Sequence, residues 1–145
     1  MAKSWRVLGL IGALALLPLA SGAQGFAIEK VALDGEEAPD AGGATFTSVD
    51  VFALDLNASG HVAYGATLSI AMPNWGVFVH TADSDSARAI SGDPAPAPLG
   101  GTYIAFGRPH IDAAGDVSMG TMIRLPSEAV ANALVLASGG GDSIP

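Results

Sequence analysis

Short runs of apolar and β-branched residues, separated by turn-forming residues, follow one another along the chain from residue 31 onwards. Runs rich in Val, Ile, Phe, Tyr and Thr and bounded by Gly, Pro, Asn or Asp predict β-strands. In the first half of the chain these runs are Thr45–Leu56, His61–Ile70, Trp75–Thr81 and Ala87–Ser91, with a break expected near Asp50. The pattern predicts an all-β fold of antiparallel strands.

The two faces of one predicted strand differ in size. Successive side chains of a strand point to opposite faces. In His61–Ile70, one face carries Val62, Tyr64 and Ala66, and the other carries Ala63, Gly65 and Thr67. The face of small residues suits the close approach of another sheet.

The sequence repeats itself with an offset of 55 to 57 residues. DGEEAPDAGGATF (34–46) aligns with SGDPAPAPLGGTY (91–103), and LNASGHVAYGATL (56–68) aligns with IDAAGDVSMGTMI (111–123). GGDSIP (140–145) resembles SGDPAP (91–96). The similarity predicts a β-repeat region over residues 24–145, with units at about 31–88 and 89–138 and the start of a third at 139–145.

About four strands in each unit match the blade of a β-propeller, which is a sheet of four antiparallel strands. A single blade cannot bury both of its faces, and at least about three units are needed for a stable stack. Two units and part of a third therefore predict an incomplete propeller, or a chain that associates with copies of itself. A β-sandwich and a β-solenoid remain open alternatives, because the strand signals do not distinguish these architectures.

A four-residue turn occurs at the same place in both units. Asn57 and Asp112 occupy its first position, where an Asn or Asp side chain bonds to nearby backbone N–H groups. Gly60 and Gly115 occupy its fourth position, where glycine tolerates a positive φ. These residues are predicted to shape the turn. Metal ligation by Asn57 and Asp112 is the alternative, but turn chemistry already accounts for both residues.

The end of the second unit allows two interpretations. PSEAVANAL (126–134) contains Ser127 as a possible helix N-cap, whereas ALVLAS (133–138) has the composition of a final strand. The register of the repeat favours the strand.

Written as N-x-x-G-x-x-A-aromatic, the turn and the strand after it resemble the motif of bacterial exported proteins described as choice-of-anchor tandem repeat NxxGxxAF-containing. The first unit matches at Asn57, Gly60, Ala63 and Tyr64, with Tyr in place of Phe. The second unit matches more loosely, at Asp112, Gly115, Ser118 and Met119. The resemblance covers about residues 31–145 and implies a secreted or surface-tethered β-repeat protein, without implying an activity. The chain departs from the group in lacking a hydrophobic C-terminal tail, so release from the cell or an incomplete chain is expected.

The N-terminus has the order of regions found in a secretory signal peptide. Lys3 and Arg6 precede the uncharged stretch Val7–Ala20, and the small-residue pattern S-G-A follows at 21–23. The uncharged stretch has 14 residues, fewer than the roughly 20 that a membrane-spanning helix needs. Residues 1–23 are therefore predicted to be cleaved. This leaves no membrane insertion and places the bacterial protein outside the cell or on its surface.

The balance of charge excludes one class of partner. The chain has 14 acidic and 6 basic residues, a net charge of −8, and removal of Lys3 and Arg6 with the signal peptide makes it −10. A chain this negative repels the phosphates of nucleic acids, so nucleic-acid binding is not expected. The chain has no cysteine, so its stability must come from burial, from a metal or from neighbouring copies.

No set of residues has the spacing of a catalytic, cofactor or metal site. His61, His80 and His110 lack the close spacing of metal-ligand pairs. The stretch GDVSMG (115–120) has Asp where the nucleophile elbow G-x-S-x-G needs its first Gly. No catalytic residue, cofactor or metal is therefore predicted.

The functional hypothesis rests on the export signal, the repeat and one aromatic residue. Trp75 follows a Pro-Asn turn and is the candidate for an aromatic platform that contacts a glycan or peptide; the alternative is core packing. The leading hypothesis is an exported, non-enzymatic β-repeat protein, a cell-surface adhesion or scaffold module, with self-association or a glycan or protein ligand. The alternative is a fragment of a secreted β-propeller enzyme, a lyase or hydrolase, whose catalytic residues lie on missing blades.

Overall fold

A computed structural model describes residues 29–72 and 74–138 of the 145-residue chain. The described residues form eight β-strands in two antiparallel sheets and contain no helix. The all-β prediction is therefore confirmed. The predicted signal peptide at 1–23 and the predicted start of a third unit at 139–145 lie outside the described residues.

The first sheet is a meander in which each strand pairs with the next one along the chain. Its strands are β1 (Phe46–Leu56), β2 (Val62–Leu68), β3 (Trp75–His80) and β4 (Asp85–Ile90), in the order β1-β2-β3-β4. The apolar runs predicted all four strands. β4 begins two residues before the predicted run, because Asp85 and Ser86 already pair with the end of β3.

The second sheet is built around one central strand. Its strands are β5 (Thr102–Phe106), β6 (His110–Ile111), β7 (Val117–Arg124) and β8 (Val130–Ala137). β5 and β6 pair in succession with one edge of β7, and β8 pairs with the other edge along all eight of its residues. The helix interpretation of residues 126–134 is wrong, because this unbroken ladder takes up Val130–Ala137 as a strand.

Matched backbone hydrogen bonds close the loop before each sheet, among them two in each loop. Before β1, the Gly35 N–H donates to the Phe46 carbonyl and the Ala38 N–H donates to the Ala44 carbonyl. Before β5, the Gly92 N–H donates to the Tyr103 carbonyl and the Ala95 N–H donates to the Gly101 carbonyl. All four bonds are 2.7–2.9 Å long. Each pair of bonds joins positions that the alignment of 34–46 with 91–103 matches. The two loops therefore present their strands with the same local geometry.

The two sheets pack face to face around a shared apolar core. The first sheet contributes Ala63, Val77, Val79 and Ala89, and the second contributes chiefly Tyr103, Ile111, Val117, Met119 and Ile123. Val77 is only 1% exposed, because the second sheet covers it. Burial of apolar area on this scale is the main source of stability in a cysteine-free domain.

A second core lies on the opposite face of the first sheet. The ring centroids of Phe46, Tyr64 and Phe78 lie 5.1–6.0 Å apart. The segment before β1 covers these rings with Ala38 and Ala44. Burial raises the pKa of the Tyr64 hydroxyl well above its usual range. Both faces of the two central strands of this sheet, β2 and β3, are therefore buried.

Candidate functional site

A groove of about 320 Å³ opens beside Trp75 on the first sheet. Its walls are Ser48, Val49, Asp50, Val51 and Phe52 of β1, Thr67 of β2 and Trp75 of β3. We call it the Trp75 groove. Trp75 itself is half-buried, so its side chain is partly accessible from solvent.

An irregularity in β1 shapes this groove at the point where the sequence predicts a break. The register between β1 and β2 shifts between Asp50 and Leu54, so the residues between them leave the regular ladder. The Asp50 carboxylate accepts a hydrogen bond from the Phe52 N–H at 2.8 Å, which fixes the bulged backbone. Bulges at sheet edges re-aim side chains, and the Phe52 side chain is 86% exposed as a result.

Trp75 is held through both its backbone and its ring. Its N–H donates to the Ser91 Oγ at 2.7 Å, and the Ser91 hydroxyl donates to the Trp75 carbonyl at 2.8 Å. The ring lies against Gly65, where an added Cβ would be 3.4 Å from the ring and 3.0 Å from the Ala53 Cβ. An alanine at position 65 would crowd the Ala53 Cβ and come into contact with the ring, so Gly65 leaves room for both side chains.

The groove combines apolar surface with a small number of polar groups. The rings of Trp75 and Phe52 provide flat apolar faces, while Ser48 and Thr67 provide hydroxyls and Asp50 a carboxylate. Binding sites commonly pair an apolar lining with a few orienting polar groups. This arrangement suits a ligand that has an apolar face and several hydroxyls.

The residues of the predicted turn motif serve the backbone and lie outside the groove. Asn57 Oδ1 accepts hydrogen bonds from the N–H groups of Ser59 and His61. Asp112 Oδ1 accepts the equivalent bonds from Ala114 and Asp116, and all four are 2.8–3.0 Å long. Gly60 and Gly115 have φ values of 83° and 91°, as the turn requires. Ala63 and Tyr64 are buried in the two cores on either side of β2.

Asn57 additionally links the two sheets, because its Nδ2 donates to the Asp112 carbonyl at 2.7 Å.

We expect Asn57→Asp to lower the free energy of unfolding by about 1–2 kcal/mol. The carboxylate of this variant can still accept the hydrogen bonds of the turn, but it cannot donate to the Asp112 carbonyl. Its negative charge would instead lie against that carbonyl oxygen. Urea denaturation measures the loss. Asp112→Asn is the matched control and should change stability by no more than about 0.5 kcal/mol; equal losses in both variants would contradict the linking role.

Asp55 forms a second link between the sheets. Its Oδ2 accepts a hydrogen bond from the Ile111 N–H at 3.0 Å, and this bond holds the pKa of the carboxyl below its ordinary value. Because the pKa is lower in the folded state, the stabilisation is present above the ordinary Asp pKa of about 4. It is lost as the pH falls through the folded-state pKa.

We therefore expect the urea midpoints of the wild type and Asp55→Asn to converge as the pH falls from about 6 to about 3. The wild type should be the more stable protein at the higher pH only. Asp83→Asn, at the exposed tip of the β3–β4 hairpin, provides the control for general acid effects. A difference between wild type and Asp55→Asn that stays constant with pH would contradict this link.

The structure also brings together a histidine and two carboxylates that the sequence did not predict as a set. His80 Nδ1 lies 2.7 Å from Asp85 Oδ1, and His80 Nε2 lies 3.3 Å from Glu29 Oε1. The contact with Asp85 follows from hairpin pairing between β3 and β4. Glu29 comes from 51 residues earlier in the chain, and no local signal predicts its approach. The cluster ties the segment before β1 to this hairpin.

Within the described ranges 29–72 and 74–138, no group of three or more His, Asp or Glu side chains is arranged to hold a metal ion. No helix in the same ranges has the length and apolar composition needed to cross a membrane.

Comparison with known proteins gives one family match. A family model described as a family of unknown function (DUF7453) matches residues 24–144. No curated protein and no solved structure matches the chain. The match extends over most of the sequence and assigns no activity to it.

Proposed function

We propose, from the premise that this chain belongs to the DUF7453 family, that it is an exported, non-enzymatic protein that binds a neutral glycan in the Trp75 groove. The observation that carries this proposal is the fixed, partly accessible ring of Trp75 beside the exposed Phe52. Export rests on the signal-peptide pattern of residues 1–23. Adhesion or scaffolding at a bacterial cell surface is the role that fits such a module.

In this proposal the two sheets are successive copies of one blade-like unit of an incomplete propeller. β1 corresponds to β5 and β6 together, β2 to β7, and β3 to β8. The matched hydrogen bonds of the loops before β1 and β5 support this correspondence. The turns that begin at Asn57 and Asp112 support it too, because both use the same side-chain acceptor pattern.

The chemistry of the groove favours binding over hydrolysis of a glycan within the groove itself. Asp50 is the one ionisable side chain among the residues that line the Trp75 groove. Hydrolysis of a glycosidic bond requires two carboxyl groups placed on either side of it. A single carboxylate, anchored by the Phe52 N–H, acts instead as a hydrogen-bond acceptor for a ligand hydroxyl.

Charge and shape favour a neutral sugar as the ligand. The net charge of −8 repels phosphorylated ligands and nucleic acids. A sugar ring has an apolar C–H face that can stack on Trp75, and hydroxyls that can bond to Asp50, Ser48 and Thr67. The volume of about 320 Å³ lies at the small end of ligand sites, which suits a short oligosaccharide.

Tryptophan fluorescence can test this proposal directly. The chain has two tryptophans, Trp5 and Trp75, and Trp5 lies in the predicted signal peptide, so a chain that begins at Gln24 has Trp75 as its sole tryptophan emitter. We expect a neutral oligosaccharide from a panel to quench or shift this emission. In the same background, Phe52→Ala should weaken binding about ten-fold, which equals 1.4 kcal/mol, because the sugar loses one of its two flanking rings.

Leu134→Ala is the matched control, since Leu134 is also an exposed apolar side chain but lies on the second sheet. It should leave the affinity unchanged. Emission that no neutral oligosaccharide alters would contradict the glycan proposal. A response to peptides alone would replace the glycan with a protein ligand.

A further inference from the structure

One face of the second sheet carries exposed apolar side chains among uncharged polar residues and one arginine. It consists of the side chains that alternate with the buried ones, namely Ser118, Gly120, Met122 and Arg124 of β7 and Val130, Asn132, Leu134 and Leu136 of β8. We call it the outer face. Leu134 is 76% exposed. None of these residues is acidic, although the chain as a whole has a net charge of −8.

The corresponding face of the first sheet is packed against another sheet. Gly65 pairs with Val77 there, as Gly120 pairs with Leu134 in the second sheet. Val77 and Leu134 thus occupy equivalent positions beside equivalent glycines. Val77 is buried by the second sheet, whereas Leu134 faces solvent. Leu134 is therefore exposed at a position that, in the first sheet, another sheet covers.

Gly120 also opens a hollow in the outer face. The hollow has a volume of about 370 Å³, and Ala105, Gly107, Gly120 and Met122 are among the residues that line it. A Cβ added at Gly120 would find no atom within 4 Å, whereas one added at Gly65 would touch Trp75 and Ala53. Trp75 and Ala53 thus occupy the space beside Gly65 in the first sheet, whereas the space beside the equivalent Gly120 in the second sheet is open.

We propose that a second copy of this chain docks on the outer face, outer face against outer face, across a two-fold axis. A two-fold contact needs one patch that is complementary to itself. The outer face meets this condition, because Leu134 projects from it beside the hollow at Gly120, so that each Leu134 can fill the hollow of the other copy. The lack of carboxylates lets two acidic chains meet here without close repulsion.

The size of the outer face sets the expected strength of this contact. The two strands of the outer face have eight residues each; at about 4.8 Å apart and about 3.3 Å per residue they present a projected area of about 250 Å². This is roughly a third of the ~800 Å² that each partner buries in a standard-size interface. The dimer is therefore expected to be weak and reversible.

Sedimentation velocity of the purified chain between about 5 and 300 µM tests this proposal. The weight-average mass should rise towards that of a dimer with concentration. Leu134→Glu should weaken the dimer at least ten-fold, because it places a carboxylate against an apolar hollow. Phe52→Glu, at an equally exposed apolar residue of the first sheet, is the matched control and should leave association unchanged. Both variants should keep the wild-type circular dichroism spectrum.

Cysteine cross-linking provides a second readout, because the chain contains no cysteine. A mixture of Gly120→Cys and Leu134→Cys chains should form mixed disulfide dimers faster than a mixture of Phe52→Cys and Leu134→Cys chains. The proposal is overturned by a monomer over the whole concentration range, or by Leu134→Glu associating like the wild type. Cross-linking no faster than the control would also overturn it, as would association that only Phe52→Glu disrupts.

Discussion

Replacing Gly101 with alanine is expected to lower the free energy of unfolding by about 3–5 kcal/mol. Gly101 has a φ of +83°, a region that side chains disfavour. A Cβ at this position would lie 2.1 Å from the Arg124 carbonyl oxygen and 3.0 Å from the Leu125 Cα. These are backbone atoms, and Arg124 pairs with Thr102 in the second sheet. The clash can be relieved only by moving β5 away from β7.

Gly43→Ala separates this clash from the cost of the backbone conformation. Gly43 lies in the loop before β1 with a φ of +87°, and a Cβ there would meet nothing within 4 Å. Its replacement should cost only the roughly 1–2 kcal/mol of a side chain in the left-handed region. Urea denaturation of both variants measures the difference. Equal losses would contradict the close approach of Gly101 to the end of β7.

Phe78→Ala is expected to destabilise the protein by about 3–5 kcal/mol. The Phe78 side chain is fully buried, and its ring centroid lies 5.1 Å from that of Phe46 and 5.6 Å from that of Tyr64. The ring also fills the space beside Gly76, where a Cβ would lie 2.6 Å from it. Truncation therefore removes two of the three ring contacts and leaves a cavity under the segment before β1.

The same chemical change at Phe52 provides the control for Phe78→Ala. Phe52 is largely exposed, so Phe52→Ala should alter the free energy of unfolding by no more than about 0.5 kcal/mol. Thermal unfolding followed by circular dichroism distinguishes the two. Similar melting temperatures for both variants would contradict the placement of Phe78 at the centre of the aromatic core.

The sequence predicted individual strands better than the way they pair. Local composition marked the four strands of the first sheet, because each apolar run ends at turn-forming residues. In the second sheet, Pro109 has no N–H to donate to a ladder, which accounts for an interruption between Phe106 and His110. That β5 and β6 nevertheless share one edge of β7 depends on long-range pairing, which no local pattern contains.

Burial of a strand face depends on what packs against it rather than on its own residues. The alternation in β2 predicted two different faces, one with Ala63 and one with Tyr64, but not that both would be buried. The second sheet covers the first of these faces and the segment before β1 covers the other. Val77 and Leu134 are both aliphatic, yet only the first is buried.

The candidate site was predictable in part. The sequence predicts Trp75 as a candidate because it is an aromatic residue directly after a turn, and it predicts the break near Asp50 because a polar residue interrupts an apolar run. The partners of Trp75 could not be named. Phe52 belongs to the groove because of the register shift between Asp50 and Leu54, and a register shift depends on the partner strand.

A glycan array probed with the labelled wild-type chain and with Trp75→Ala tests whether the Trp75 groove binds neutral sugars. We expect the wild type to bind a subset of neutral glycans, and Trp75→Ala to lose at least about ten-fold in affinity for that subset, equal to 1.4 kcal/mol. The variant should keep the wild-type circular dichroism spectrum, since Trp75 is only half-buried. Binding to no neutral glycan, or equal binding by the wild type and Trp75→Ala, would contradict the proposed function.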